Sequence, residues 1–272
     1  MKILILGSDG QIGLSLRKYL SKNHDVIEFD ISSDIHNDLR VPNVLDSILP
    51  TVDFVFFLAF DVGGSAYIKK YQDSFEFISN NIKIMNNTFD SLKKYNNKFI
   101  FTSSQMSNML HSSYGVLKQI GEKYTKSLKN GKIISIWNIY GYEKDLNKSH
   151  VMTDFILMAK SDNIIKMRTN GEEKRQFLYV KDCCKCLTFL MDNFDTLNRI
   201  QFDISSFKWE KIIDIAKIIS SEFNNCPIII GDEEDEVQMN ISNEPSKYIL
   251  QYWEPEISTK EGVKKMIQEI CN

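Results

Sequence analysis

Short apolar runs alternate with helical periodicities through the first half of the chain. Ile3 to Leu6, Val26 to Phe29, Phe54 to Leu58, Phe99 to Phe101 and Ile133 to Ile136 have the length and the β-branched or aromatic content of buried strands. Between them, Ile12, Leu16 and Leu20 recur at i, i+4 and i+8, and Leu117, Ile120, Tyr124 and Leu128 line one face of another helix. The stretch from Ile68 to Tyr95 must hold at least one more helix. Repeated βα units predict a Rossmann-like, doubly wound α/β fold, with a parallel sheet, right-handed crossovers and helices on both faces.

Past Asn138 the pattern loosens. Val151 to Ala159, Lys181 to Leu190, Trp209 to Phe223 and Gly262 to Ile270 read as helices, Ile164 to Met167 as a strand and Asn170-Gly171 as a turn. This is too little for an independent second core. The expected division is a dinucleotide-binding domain over residues 1–150, with a return segment near 177–205, and a smaller lobe over 151–272 laid on the carboxyl edge of the sheet. The acidic run Asp232-Glu233-Glu234-Asp235-Glu236 reads as a solvated loop.

With 272 residues there is room for one large α/β domain or for one domain and a lobe. A net charge of -3 without a basic stripe argues against a nucleic-acid partner. No apolar run approaches a membrane span, and Met1 to Leu6 leads straight into glycines, which suits a first strand better than a signal peptide. A cytoplasmic protein with no membrane partner is expected. Cys183, Cys184 and Cys186 lack the paired spacing of a zinc site and no histidine stands near them. They read as small, reduced, partly buried side chains, and no metal is expected.

The chemistry begins at Gly7-Ser8-Asp9-Gly10-Gln11-Ile12-Gly13, between the first strand and the first helix. Bare glycines there let backbone N–H groups, including those around Gln11 and Ile12, approach a pyrophosphate at a helix N-terminus. The spacing is Gly-x-x-Gly-x-x-Gly, not the Gly-x-Gly-x-x-Gly of commoner dehydrogenases. Asp30 ends the second strand, where a carboxylate can accept hydrogen bonds from adenosine ribose hydroxyls and repel a 2'-phosphate. Ile31, Ser32 and Ser33 follow it, with no arginine, so NAD is expected in preference to NADP. Asp38-Leu39 can hold the adenine edge or be a plain loop.

Tyr114 and Lys118 lie one helical turn apart in Tyr-Gly-Val-Leu-Lys. A phenol titrates near about 10 in water and is a poor base at neutral pH. The lysine ammonium can favour the phenolate and hold the nicotinamide ribose. Ser104 closes the fourth predicted strand, where open α/β sheets place ligands, and its hydroxyl can bond the reacting oxygen. Ser104, Tyr114 and Lys118 are the expected catalytic set.

Taken together these residues make the chain resemble the extended short-chain dehydrogenase/reductases, in particular the nucleotide-sugar epimerases and dehydratases. The resemblance runs nearly end to end. It rests on the glycine loop, Asp38-Leu39, Leu58-Ala59, Asn81, Ser104, Tyr114 and Lys118, on Asn138-Ile139-Tyr140-Gly141 and Arg175-Gln176-Phe177 with Val180-Lys181-Asp182, and on Ser246-Lys247 with Trp253-Glu254-Pro255. It implies that Leu58 and Ala59 border the cofactor and that Arg175 and Asn138 contact a nucleotide diphosphate, although ordinary loop hydrogen bonding would suit both. It also implies a homodimer built on the helices around Asp73–Tyr95 and Ser113–Lys129. The substrate it implies is a nucleotide-diphosphate sugar.

Two departures narrow the reading. Similar dehydratases carry an Asp-Glu pair directly after the active-site hydroxyl residue; here Gln105 and Met106 stand there and neither is an acid or a base. The cysteine used by relatives that epimerise C3 or C5 is absent too. His111, in a short segment between Ser104 and Tyr114, reads as an exposed loop histidine. What remains is hydride transfer at C4, by a 4-epimerase or a 4-dehydrogenase. A 4-ketoreductase, a dehydratase-like enzyme and a non-catalytic NAD sensor on the same fold are the alternatives.

Overall fold

The computed structural model describes residues 1–238 and 243–271. The chain runs β1 (Lys2–Leu6), α1 (Gln11–Leu20), β2 (Asp25–Phe29), β3 (Phe54–Phe57), α2 (Ser65–Tyr71), α3 (Phe75–Tyr95), β4 (Lys98–Ser104), α4 (Ser113–Ser127), β5 (Gly131–Ile136) and β6 (Ile139–Tyr140). It continues through α5 (Val151–Asp162), β7 (Ile165–Lys166), β8 (Lys174–Arg175), β9 (Leu178–Tyr179), α6 (Val180–Asp192), β10 (Gln201–Ile204), β11 (Glu210–Lys211), α7 (Ile212–Glu222), β12 (Ile228–Ile229) and α8 (Thr259–Cys271). Six of these strands form one parallel sheet in the order β10-β5-β4-β3-β1-β2. All five strands read from the apolar runs are in it. The sixth, β10, was not announced by the apolar pattern, because its short Gln-Phe-Asp-Ile run alternates polar and apolar residues.

Alternation along β1 explains the two layers. Ile3 and Ile5 pack with Leu16 and Leu20 of α1 and Leu187 of α6, whereas Leu4 and Leu6 face Phe89 of α3 and Leu117 of α4. In β3 every residue from Phe54 to Phe57 is buried, as a strand covered on both faces requires. The cluster that holds α1 and α6 also takes in Ile156, Ile165, Ile215, Val263 and Met266, so the elements after β6 share their core with the sheet.

The chain steps from β1 outward to β2 and then crosses back to β3. That reversal leaves a crevice between the carboxyl ends of β1 and β3, the place where open α/β sheets bind ligands. Gly7 and Leu58 stand at its two sides.

The segment from Ile68 to Tyr95, expected to hold at least one helix, holds the end of α2 and all of α3, broken before Ser74, whose hydroxyl caps α3 by accepting from Phe77 N at 3.2 Å. Two expectations need correction. The helix expected from Trp209 starts only at Ile212, because Glu210 and Lys211 pair antiparallel with Arg175 and Lys174. The acidic run is only partly a solvated loop. Asp232, Glu233, Glu234 and Glu236 are exposed, but Glu233 bridges to Thr169, Lys69 Nζ reaches Glu236 at 2.8 Å, and Val237 just beyond is buried.

Cys183, Cys184, Cys186 and Cys226 are free and buried, and burial pushes the Cys184 thiol up to about 12. Among the described residues no helix is long and apolar enough to cross a membrane.

Candidate active site

The glycine loop folds tightly because its backbone packs on backbone. Gly7 adopts a left-handed φ of +86°, and a Cβ there would stand 2.7 Å from Ala59 N. A Cβ on Gly13 would fall 2.0 Å from the Gly7 carbonyl oxygen. α1 begins at Gly10 with no side-chain cap, which leaves first-turn N–H groups free to face an anion. This arrangement fits a dinucleotide pyrophosphate. Gln11 Nε2 donates to the Gly141 carbonyl at 3.4 Å and ties the loop after β6 to the glycine loop.

At the end of β2, Asp30 Oδ2 accepts from Asp9 N at 3.0 Å and Oδ1 accepts from Ser32 N at 2.9 Å. Asp38 is held by Arg40, whose Nε and Nη2 donate to its two oxygens at 2.8 and 2.9 Å. This pairing, more than burial opposes it, keeps the Asp38 carboxyl below its ordinary range. Leu39 is buried and its carbonyl accepts from Asn87 Nδ2 at 2.9 Å. At the end of β3, the loop that carries Leu58 and Ala59 is clamped by buried Asn81, whose Oδ1 accepts from Asp61 N at 2.7 Å and whose Nδ2 donates to the Asp61 and Phe77 carbonyls at 3.0 Å.

Ser112 caps α4 by accepting from Gly115 N at 3.1 Å, which sets Tyr114 in the first turn and Lys118 in the next. Both are buried. Ser104 Oγ accepts from Met106 N at 3.2 Å, and the Ser104 hydroxyl favours the Tyr114 phenolate, yet burial outweighs this and pushes the phenol up to about 12. Lys118 Nζ donates to the Thr102 carbonyl at 2.8 Å and lies 3.9 Å from the centroid of the Phe60 ring. Burial lowers its ammonium to about 7, with Glu122 pulling the other way. The neighbouring lysine therefore does not by itself make this phenol acidic. Desolvation of both groups dominates, which spacing along a helix cannot reveal.

Every cofactor, catalytic and substrate residue singled out from the sequence lines one cavity of about 930 Å³. Asn138 Oδ1 is buried there without a hydrogen-bond partner. Arg175 is not free: it forms an ion pair with Asp235 of the acidic run. His111 is exposed, and its Nε2 lies 3.3 Å from the Val237 carbonyl oxygen.

A second titratable pair in the cavity wall was missed from the sequence. His150 Nδ1 and Glu143 Oε1 are 2.5 Å apart, His150 N donates to Glu143 Oε2 at 3.0 Å, and Thr153 also donates to Glu143. The surroundings disfavour charge on His150, but Glu143 more than offsets this and raises the imidazole above its ordinary value. Nothing local in the sequence marks it, since the six residues between the two form a loop with one short helical turn.

The profile of the NAD dependent epimerase/dehydratase family matches residues 3–204. This chain belongs to that family. It is an NAD-dependent enzyme of the nucleotide-sugar epimerase/dehydratase type within the short-chain dehydrogenase/reductases. It is 24% identical to GDP-L-fucose synthase of Dictyostelium discoideum over 80% of this chain and 78% of that protein. The fold is similar to that of the UDP-N-acetylglucosamine 4-epimerase of Methanobrevibacter ruminantium, at 20% identity and a TM-score of 0.83 over 99% of this chain and 98% of that one. It is similar also to the UDP-glucose 4-epimerase of Thermotoga maritima, at 18% identity and a TM-score of 0.79 over 100% and 99% of the two chains. Within this family, the glycine loop and the Tyr-x-x-x-Lys helix of the chain meet in one crevice.

Proposed function

We propose that the chain interconverts the C4 alcohol and ketone of a nucleotide-diphosphate sugar, as a 4-epimerase or a 4-dehydrogenase. The observation that carries this is that Ser104 and Tyr114 line the same cavity as the glycine loop, beside Gln105 and Met106, which offer no acid or base. Bound NAD supplies the hydride acceptor. Tyr114 takes the proton of the C4 hydroxyl as hydride leaves C4, and Ser104 holds the oxygen that becomes the ketone. Lys118, one of whose hydrogens is spent on Thr102, holds the nicotinamide ribose. Backbone around Gly7, Gly10, Gln11, Ile12 and Gly13 takes the pyrophosphate, Asp30 and Ile31 the adenosine ribose, and Asp38 and Leu39 the adenine, with Leu58 and Ala59 bordering it. Arg175 and Asn138 take the sugar-nucleotide diphosphate, for which a bidentate guanidinium and an unpartnered amide oxygen are suited. Returning the hydride to the other face of the ketone gives the epimer.

The test is a panel of nucleotide sugars incubated with the protein and NAD, with products read by mass spectrometry and NMR. Epimer or ketone at C4 is the expected product, and no conversion of any of them would overturn the proposal.

The His150–Glu143 pair favours a second reading. A C4 ketone acidifies the hydrogens on C3 and C5, and an imidazole in the cavity wall can exchange them. Incubation in deuterated water separates the two: deuterium at C3 or C5 that is lost in His150→Gln supports the second, and none supports simple C4 chemistry.

Exposed Phe75, Ile82, Ile120 and Tyr124 on α3 and α4 further suggest a homodimer through these helices. Light scattering on the purified protein, and on Ile82→Glu, checks the dimer.

A further inference from the structure

Asp9, at the third position of the glycine loop, has a carboxylate that is only 4% exposed. Four groups from three separate parts of the chain converge on it. Ser32 Oγ and Lys144 Nζ each donate to Oδ2 at 3.1 Å, Ser33 Oγ donates to the same atom, and Arg17 Nη1 faces Oδ1 at 3.2 Å. Burial alone would raise this carboxyl, but the bonds from Ser33, Lys144 and Ser32 hold it below its ordinary range. Its backbone N–H simultaneously donates to Asp30, the residue positioned for the adenosine ribose hydroxyls.

Two cations and two hydroxyls gathered on one buried acceptor are what a phosphate monoester needs. They stand directly beside Asp30, where the extra phosphate of NADP would fall, and the acceptor that fills them is the protein's own. We propose that Asp9 selects NAD against NADP by occupying and neutralising the receptor for a ribose 2'-phosphate. Asp30 alone repels that phosphate while leaving the receptor available. Asp9 repels it and also engages Ser33 and Lys144, while the Ser32 hydroxyl is shared with Asp30 Oδ1 at 2.8 Å and Arg17 with Glu28. The assignment does not depend on which sugar carbon is oxidised.

The same geometry limits what other roles Asp9 can have. It points along the glycine loop toward Ser32 and Ser33 and is not among the groups around Tyr114. The Lys144 contact also links the loop after β6 to the ribose end of the groove, so the receptor forms only in the folded chain.

Direct binding of NAD⁺ and NADP⁺ to the purified chain, followed by calorimetry, tests this without reference to turnover. Wild type is expected to bind NAD⁺ at least about a hundredfold more tightly than NADP⁺, since like charges brought together across an interface are strongly disfavoured. Asp9→Ala should tighten NADP⁺ by about tenfold or more while changing NAD⁺ by less than about threefold. Asp9→Asn keeps the shape and the serine bonds, and it should shift the preference in the same direction should the alanine variant fold poorly. Adding Lys144→Ala to either variant should take back much of the gain, and raising the salt should weaken NADP⁺ binding in the single variants. Wild type that binds the two cofactors equally, or folded Asp9 variants with an unchanged affinity ratio, would overturn the proposal.

Discussion

Arg175 and Asp235 form an ion pair in the wall of the cavity, with the two side chains only 13% and 18% exposed. Arg175 reaches this position because β8 pairs with β11, and Asp235 because the acidic run bridges to Thr169 through Glu233. A guanidinium proposed to grip a diphosphate is thus already held by an internal carboxylate, which an incoming substrate must displace. Asp235→Asn removes the competing charge. An ion pair of this exposure contributes on the order of 1 kcal/mol, so KM for the sugar nucleotide should fall about threefold to fivefold with kcat little changed. Steady-state kinetics on the variant check this, and a rise in KM would show that Asp235 helps to position Arg175.

Tyr114→Phe removes the group proposed to take the C4 hydroxyl proton while keeping the ring that packs against Phe60 at 5.8 Å. A lost general base costs about 10²–10⁴ in rate. The variant should therefore lose kcat by that factor and still bind NAD with wild-type affinity. Titration of cofactor binding beside single-turnover rates separates the two. Unchanged turnover would remove Tyr114 from the mechanism.

The sequence made the chemistry legible where spacing and element type determine position. The glycine loop must follow β1, Ser104 must end β4, and Tyr114 and Lys118 must share a helix face, so their meeting in one crevice follows from the parallel order of the strands. Contacts made by loops far apart in the chain were not legible. Arg175 with Asp235, Lys144 with Asp9 and His150 with Glu143 depend on how connections fold over the sheet, which no periodicity encodes. The charge states of Tyr114 and Lys118 were misjudged for a related reason: one turn of helix fixes their separation, but the Phe60 and Phe101 rings packed around Lys118 set the cost of the charge.

Asn81 satisfies three backbone groups and has no exposed surface. Asn81→Ala leaves Asp61 N and two carbonyls without this partner, each at a cost of about 1–3 kcal/mol unless water enters. A loss of about 3 kcal/mol in urea denaturation is expected. Because the clamp fixes the loop after β3, NAD affinity should fall as well. Asn81→Asp can accept from Asp61 N but cannot donate to the carbonyls, and it should rescue neither stability nor binding.

Lys118 is the group through which pH should act on the folded chain. Burial takes its folded value to about 7 from 10.5. Between these values the unfolded chain binds the proton that the folded chain has released, so stability rises with pH across this window. Below about pH 7 both states are protonated and the full cost of burying the ammonium, on the order of 5 kcal/mol, is present. Lys118→Met leaves the Thr102 carbonyl without its donor at every pH, a constant loss, but abolishes the pH-dependent cost. Melting curves of wild type and variant without cofactor should therefore show the variant gaining on wild type most at pH 6 and roughly half as much at pH 9. Tyr114, pushed up to about 12, acts in the opposite sense and only above pH 10, outside that comparison. A difference in melting temperature that stays flat from pH 6 to pH 9 would mean that Lys118 keeps its ordinary titration, and that water or an anion reaches it behind Phe60.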